Sequence, residues 1–234
     1  MSREQILRQH YKKVIYSQSH IELLEKKRAQ ALNLLRLFRK NNLNPYLYGS
    51  VARGDIHLDS DIDIAFLYRV PIFKIEYILQ RNKIQTYNRE LIMATPADSI
   101  KLYIYLSELK CITLPLTKLN RSSQLFYDFG GKIDYNQLKE RVRIPGIDKR
   151  LVLIKPTEKG HEEFSIINQE SIAAKTVGVP IDIINERKRV LLRREKHGRT
   201  GVFLKKELNL NETVQGALKR LAKNNPIIRK KLFL

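Results

Sequence analysis

Apolar residues in the first forty positions recur near helical spacing, with Ile21, Leu24, Leu32, Leu35 and Phe38 on one face. The pattern predicts helix over residues 2–41. Ser2 followed by Gln5 has the form of a capping box, and Ser17-Gln18-Ser19 divides the segment, with Ser19 as a second N-cap before Glu22. Asn41-Asn42-Leu43-Asn44-Pro45 ends it, because proline cannot continue a helix and disfavours helix at Asn44. Short apolar runs bounded by turn residues then predict strands at 46–48, 62–67, 90–93, 100–106 and 111–114, with a short helix over 71–81. Mixed in this order, the elements make an α+β fold whose first domain, a mixed sheet with N-terminal helices, spans residues 1–120.

Residues 121–234 form the second expected domain. Positions 169–194 read as two helices around the sharp turn Gly178-Val179, with Pro180 opening the second helix. Ile181, Ile184, Val190 and Leu191 give that helix an apolar face. Lys196-His197-Gly198-Arg199-Thr200-Gly201 has the form of a hairpin tip leading into Val202-Phe203-Leu204. The order matches a helix-turn-helix with a following β wing, a winged-helix-like arrangement. The tail, Pro226 onward, carries apolar residues that can dock and lysines that can extend a basic surface.

Composition narrows the function. The chain has 234 residues, 43% of them hydrophobic and 29% charged, which is globular and long enough to bury a core. Forty-four Lys or Arg against 24 Asp or Glu leave a formal charge of +20, which points to a polyanionic partner. The excess is larger in the C-terminal half. Cys111 is the single cysteine, so there is no intrachain disulfide and no Cys-rich zinc site. No apolar run is long enough to span a bilayer, and the first residues lack a signal-peptide core. These features describe a soluble, cytoplasmic protein facing nucleic acid, not a membrane.

The most informative stretch is Gly49-Ser50-Val51-Ala52-Arg53-Gly54, followed by Ser60-Asp61-Ile62-Asp63-Ile64. Alternate side chains of a strand share a face, so Asp61 and Asp63 project together. Two adjacent carboxylates repel unless a divalent cation lies between them, and such oxygen ligands suit Mg²⁺. Gly49 and Ser50 leave a strand where backbone N–H groups and a hydroxyl can meet phosphate oxygens. Arg53 adds a cation, and Gly54 lets the chain turn. Taken singly, Asp-x-Asp is a common solvated strand edge and Gly-Ser a common turn. Together, directly ahead of the apolar Ile64-Ala65-Phe66-Leu67, they make a phosphate cradle beside a metal-binding pair, the equipment of phosphoryl or nucleotidyl transfer.

Gly-Ser-x-Ala-Arg-Gly followed by Ser-Asp-x-Asp-Ile resembles the nucleotidyltransferase superfamily, which includes DNA polymerase beta, CCA-adding enzymes, poly(A) polymerases and aminoglycoside nucleotidyltransferases. The resemblance covers residues 46–67 in detail and 20–115 in architecture. It implies that Gly49 and Ser50 bind the triphosphate of an NTP, with ATP the expected nucleotide, that Arg53 assists NTP binding or holds local structure, and that Asp61 and Asp63 hold catalytic Mg²⁺ or Mn²⁺. The superfamily also uses a third carboxylate from a later strand. Glu90 in Arg89-Glu90-Leu91-Ile92-Met93 is the choice here, ahead of Asp98 and Glu108; its ordinary alternative is a surface glutamate paired with Arg89 or Lys83. Transfer of NMP to an acceptor hydroxyl follows, with pyrophosphate leaving.

Nine Lys or Arg against one acid, Glu195, lie between positions 187 and 206. Arg187, Lys188, Arg189, Arg193, Arg194, Lys196 and Arg199 are the expected phosphate-backbone contacts to nucleic acid, here RNA. The bland alternative is a solvated helix whose basic stems cover the core. Tyr46, Tyr48, Tyr103 and Tyr105 read as packing residues, His161 as a surface residue and Cys111 as core. The expected enzyme is thus an RNA nucleotidyltransferase. A nucleic-acid-binding regulator with a sensor or inactive domain, and a protein adenylyltransferase, share the motif and differ in turnover and acceptor.

Overall fold

The computed structural model describes residues 5–198, 200–209 and 211–232. In chain order the elements are β1 (Tyr11–Ile15), α1 (Gln18–Arg39), β2 (Tyr46–Tyr48), α2 (Ser50–Arg53), β3 (Ile62–Ala65), α3 (Ile72–Arg81), β4 (Asn88–Met93), β5 (Lys101–Ser107), β6 (Lys110–Pro115) and α4 (Arg121–Gly130). There follow β7 (Lys132–Ile133), α5 (Tyr135–Lys139), β8 (Gly146–Ile147), β9 (Val152–Thr157), β10 (Gly160–Ser165), α6 (Glu170–Val177), α7 (Ile181–His197), β11 (Leu204–Glu207), α8 (Val214–Asn224) and α9 (Pro226–Leu232). The fold is α+β, as the pattern predicted. Two compact units share the chain by interleaving: Met1–Ile62 with Gln124–Thr200, and Asp63–Ser123 with Gly201–Leu234. The sequence marked only one boundary, near residue 120.

In the first unit, residues 11–15 are strand, not the predicted helix. β1 pairs antiparallel with β10 over its whole length, and ladder bonds to a partner distant in sequence override local helical preference. Sheet order is β1-β10-β9-β8. The predicted break at 17–19 is real, but Ser17 makes the cap, its hydroxyl accepting from the His20 N–H at 3.2 Å. The Ser2 capping box lies outside the described residues. Helix α1 buries a stripe of Leu24, Lys27, Arg28, Ala31, Leu34, Leu35 and Phe38. Ile21, expected on that face, is exposed, and Leu32 is half-buried. A second core gathers Ile6, Phe129, Leu151, Leu153 and Ile166 with Ala173, Ile183, Ile184 and Leu191 of α6 and α7. The turn between those helices is as the sequence suggested, with Gly178 left-handed at φ 70°.

In the second unit the strands run β11-β4-β5-β6-β3. Leu91, Met93, Leu102, Ile104, Ile112 and Leu114 alternate along β4, β5 and β6 and are fully buried, so one sheet face is core. Glu90, Tyr103, Tyr105, Cys111 and Thr113 occupy the other face, and Cys111 is buried as expected. The predicted wing is not a wing. β11 pairs antiparallel with β4, Leu204 opposite Met93 and Glu207 opposite Glu90, so residues 204–207 extend this sheet instead of folding back as a hairpin after α7. An open sheet edge offered more hydrogen bonds than a two-stranded ribbon would. The tail docks: Ile228 of α9 packs on Met93 and Ile100.

Candidate active site

Gly49 turns the chain from β2 into α2 with φ 86° and ψ −152°, a conformation open to glycine and strained for other residues. Space is not the constraint, since a Cβ there would meet nothing within 4 Å. Its carbonyl accepts from the Ala52 and Arg53 N–H groups, and its own N–H donates to Gly131 O at 2.9 Å. Ser50 is thereby the first helical residue, where backbone N–H groups have no intrahelical acceptor.

The other end of α2 is held from α1. Arg28, 8% exposed, donates to Val51 O at 3.3 Å, Ala52 O at 3.4 Å and Val142 O at 2.5 Å. Burial, and then the charge of Arg143, lower its pKa to about 10.

Of the two places expected for Arg53, NTP binding and local structure, its contacts are those of the second. Arg53 is 5% exposed and bonded to both carboxylate oxygens of Asp55, at 2.9 and 2.8 Å, and to Gly130 O at 2.6 Å. Its stem lies against Gly131 and Gly146, where any Cβ would strike it. The Arg53–Asp55 ion pair is largely buried, and it engages the guanidinium within the first unit.

Asp61 precedes β3 and Asp63 is its second residue; Ile62 and Ile64 between and beyond them are buried, while Asp61 is exposed and Asp63 half-buried. Asp61 belongs to the first unit and Asp63 to the second. The loop before Asp61 is a tight turn, His57 N–H donating to Ser60 Oγ at 2.8 Å. Beneath it the buried Lys27 ammonium donates to Leu58 O at 3.0 Å and Ser60 O at 2.7 Å. Burial raises the Asp61 pKa, and the cations of Lys149 and Lys27 oppose that shift. Lys27 was missed in the sequence, yet it was marked: it falls on the apolar stripe of α1, where a lysine needs a buried acceptor. Lys27→Met is expected to lower the unfolding free energy by about 1–2 kcal/mol, read by urea denaturation, because two carbonyls lose a charged donor. Equal stability would show that water replaces the ammonium.

The structure does not bring Glu90 to Asp63. β5 and β6 stand between β4 and β3, three strand spacings or about 14 Å, too far for two carboxylates to share one ion. Glu90 is 8% exposed, accepts from Tyr105 Oη at 3.2 Å and pairs with Lys205 Nζ at 3.2 Å. Tyr103 lies between the two acids: burial chiefly, then the charges of Cys111, Asp63 and Glu90, raise its pKa to about 12. β6, next to β3 in this unit, carries no carboxylate, and among the described residues no group of three or more His, Cys, Asp or Glu is placed to hold a metal ion.

The histidine expected at the surface is buried. His161, 4% exposed, bonds through Nδ1 to Tyr16 Oη at 2.9 Å and lies 3.4 Å from Glu163. Burial alone would raise the Glu163 pKa, but His10 at 2.5 Å and Arg150 at 3.0 Å hold it at about 2. A depressed carboxylate contributes stability that is present above its unfolded value and lost as pH falls toward 2. Glu163→Gln is therefore expected to destabilise the protein near neutral pH, with the gap to wild type narrowing between about pH 4.5 and 2. Chemical denaturation at pH 7 and pH 3 measures it, and a gap unchanged with pH would refute the pairing.

Of the seven cations expected on nucleic acid, α7 exposes three in one stripe, Arg189, Arg193 and Lys196. Arg194 is half-buried, Lys188 pairs with Glu170 at 2.5 Å, and Arg187 lies over the ring of Phe126 at 4.8 Å. Arg199 lies outside the described residues. Tyr48 packs edge-on to Tyr127 at 4.8 Å, as a packing residue should.

Residues 36–110 match the family model described as polymerase beta, nucleotidyltransferase. No curated protein and no solved structure matches the chain. The matched segment holds the Gly49-Ser50 turn, α2, Asp61 and Asp63, and it supports nucleotidyl transfer as the class of activity. Over residues 36–110 the chain is thus similar to the polymerase beta type of nucleotidyltransferase domain.

Proposed function

We propose that the protein transfers a nucleoside monophosphate from an NTP, with ATP the preferred donor, to a hydroxyl on RNA. One observation carries this most: a glycine held at positive φ feeds Ser50 into α2, and two aspartates, Asp61 exposed and Asp63 half-buried, flank the start of β3 a few residues later. In this reading the Ser50 hydroxyl and first-turn N–H groups of α2 receive triphosphate oxygens. Asp61 and Asp63 form a two-carboxylate oxygen set, which fits Mg²⁺ or Mn²⁺ when substrate phosphates complete the coordination. Bound there, such an ion would stabilise negative charge on phosphate oxygens. Arg28 and Lys27 are positioning residues, one for α2 and one for the loop that delivers Asp61. The acceptor oxygen bonds to the α-phosphorus as the bond to pyrophosphate breaks. Arg189, Arg193 and Lys196 supply phosphate-backbone contacts for the RNA.

A second reading is favoured by a specific placement: Glu90 is held by Lys205 and Tyr105, and β6 carries no carboxylate beside Asp63. A domain of that kind binds nucleotide and RNA as a regulator without efficient turnover. Incubation with each α-labelled NTP, Mg²⁺ and total RNA separates the two. Label in RNA supports the transferase; salt-sensitive RNA binding without label supports the regulator; label in protein selects protein adenylylation.

A further inference from the structure

We propose that a cavity in the first unit binds a nucleoside phosphate, its base on the apolar side of α1 and its phosphate beside Arg28 and Arg143. The cavity has a volume of about 570 Å³, within the range of small-molecule sites and far larger than a phosphate ion. Leu24, Leu32 and Leu138 give it an apolar floor. Its rim has five cations, Arg28, Lys139, Arg141, Arg143 and Lys159, against the two carboxylates Glu25 and Glu158. Glu25 is already engaged, 3.4 Å from Arg141.

The two guanidiniums give the strongest indication. Arg143 donates to Gly160 O at 2.8 Å and to the carbonyls of Thr157 and Glu158; Arg28 donates to the carbonyls of Val51, Ala52 and Val142. Among the described residues neither has a carboxylate partner, and each carries the positive field of the other. Five N–H donors per guanidinium exceed what these carbonyls take up. An anion beside both would relieve the repulsion and accept the spare donors. Arg143 is held in place by the Tyr16 ring beneath it at 5.3 Å, itself stacked on His20 at 3.8 Å.

This site is distinct from Gly49 and Ser50. Arg28 touches the carbonyl end of α2, where those residues begin it. The choice of a nucleoside as the apolar body rests on the transferase reading; the cavity and its cations do not. Binding is therefore measured by calorimetry in EDTA, in the full chain carrying Asp61→Asn and Asp63→Asn, so that loss of transfer cannot be mistaken for loss of this site.

Ala29 is an exposed lining residue on α1, and glutamate and glutamine both suit a helix there. AMP is expected to bind, with inorganic phosphate and octanoate each at least tenfold weaker. Ala29→Glu should weaken AMP tenfold or more, and Ala29→Gln by less than threefold. A trinucleotide binding tighter than AMP would identify the occupant as an RNA terminus, and AMP binding tighter would identify a free nucleotide; both uphold the site. Equal AMP affinity in the two Ala29 variants, or phosphate or octanoate binding as tightly as AMP, would overturn it.

Discussion

Replacing Asp61 and Asp63 together by asparagine is expected to reduce nucleotidyl transfer by on the order of 10³-fold or more while leaving thermal stability equal or higher. The first half follows from what the pair is asked to do. Charge stabilisation at a metal-assisted phosphoryl centre is worth several kcal/mol, and each tenfold in rate is about 1.4 kcal/mol. The second half follows from the electrostatics of the folded chain. Burial already raises the Asp61 pKa, so the folded state disfavours its charge, and Asp63 is half-buried beside the same strand. A neutral amide of the same shape removes that penalty. Label transfer and a melting curve on the same preparation decide the matter. Activity that survives the double change sinks the assignment, and activity lost together with cooperative unfolding shows that the aspartates were structural.

Arg28→Met should cost about 2–4 kcal/mol in unfolding free energy, the largest stability effect expected from one side chain near the site. Three carbonyls lose a charged donor, two of them at the end of α2, and each buried acceptor left without a partner costs about 1–3 kcal/mol. Part of that is offset because a buried cation repelled by Arg143 disappears. The double change of Arg28 and Arg143 to Met should therefore destabilise by less than the sum of the single changes, a coupling that urea denaturation of the four proteins measures. Additive losses would show that the two guanidiniums do not sense each other. Because α2 carries Ser50, Arg28→Met should also raise KM for NTP more than it lowers kcat.

The chain itself determined the parts that depend on neighbours in sequence. The stretch Asn41–Pro45 follows the end of α1, Gly178 and Pro180 set the turn between α6 and α7, and period-two apolar residues drew β4, β5 and β6. Gly-Ser and Asp-x-Asp were legible for the same reason: a left-handed turn and alternate residues of a strand are properties of a few consecutive positions. Tertiary structure decided everything that needed a distant partner. β1 became a strand because β10 paired with it, and residues 204–207 left the expected wing because β4 had an open edge. Arg53 resembles a phosphate ligand until Asp55 and Gly130 are found around it, and Glu90 a third carboxylate until two strands are found between it and Asp63. Lys27 and Arg28 carry no motif of their own, yet they hold the loop before Asp61 and the end of α2. Charge is written in the sequence, but its partner is chosen by the fold, since a buried ion takes whatever acceptor the packing sets within reach.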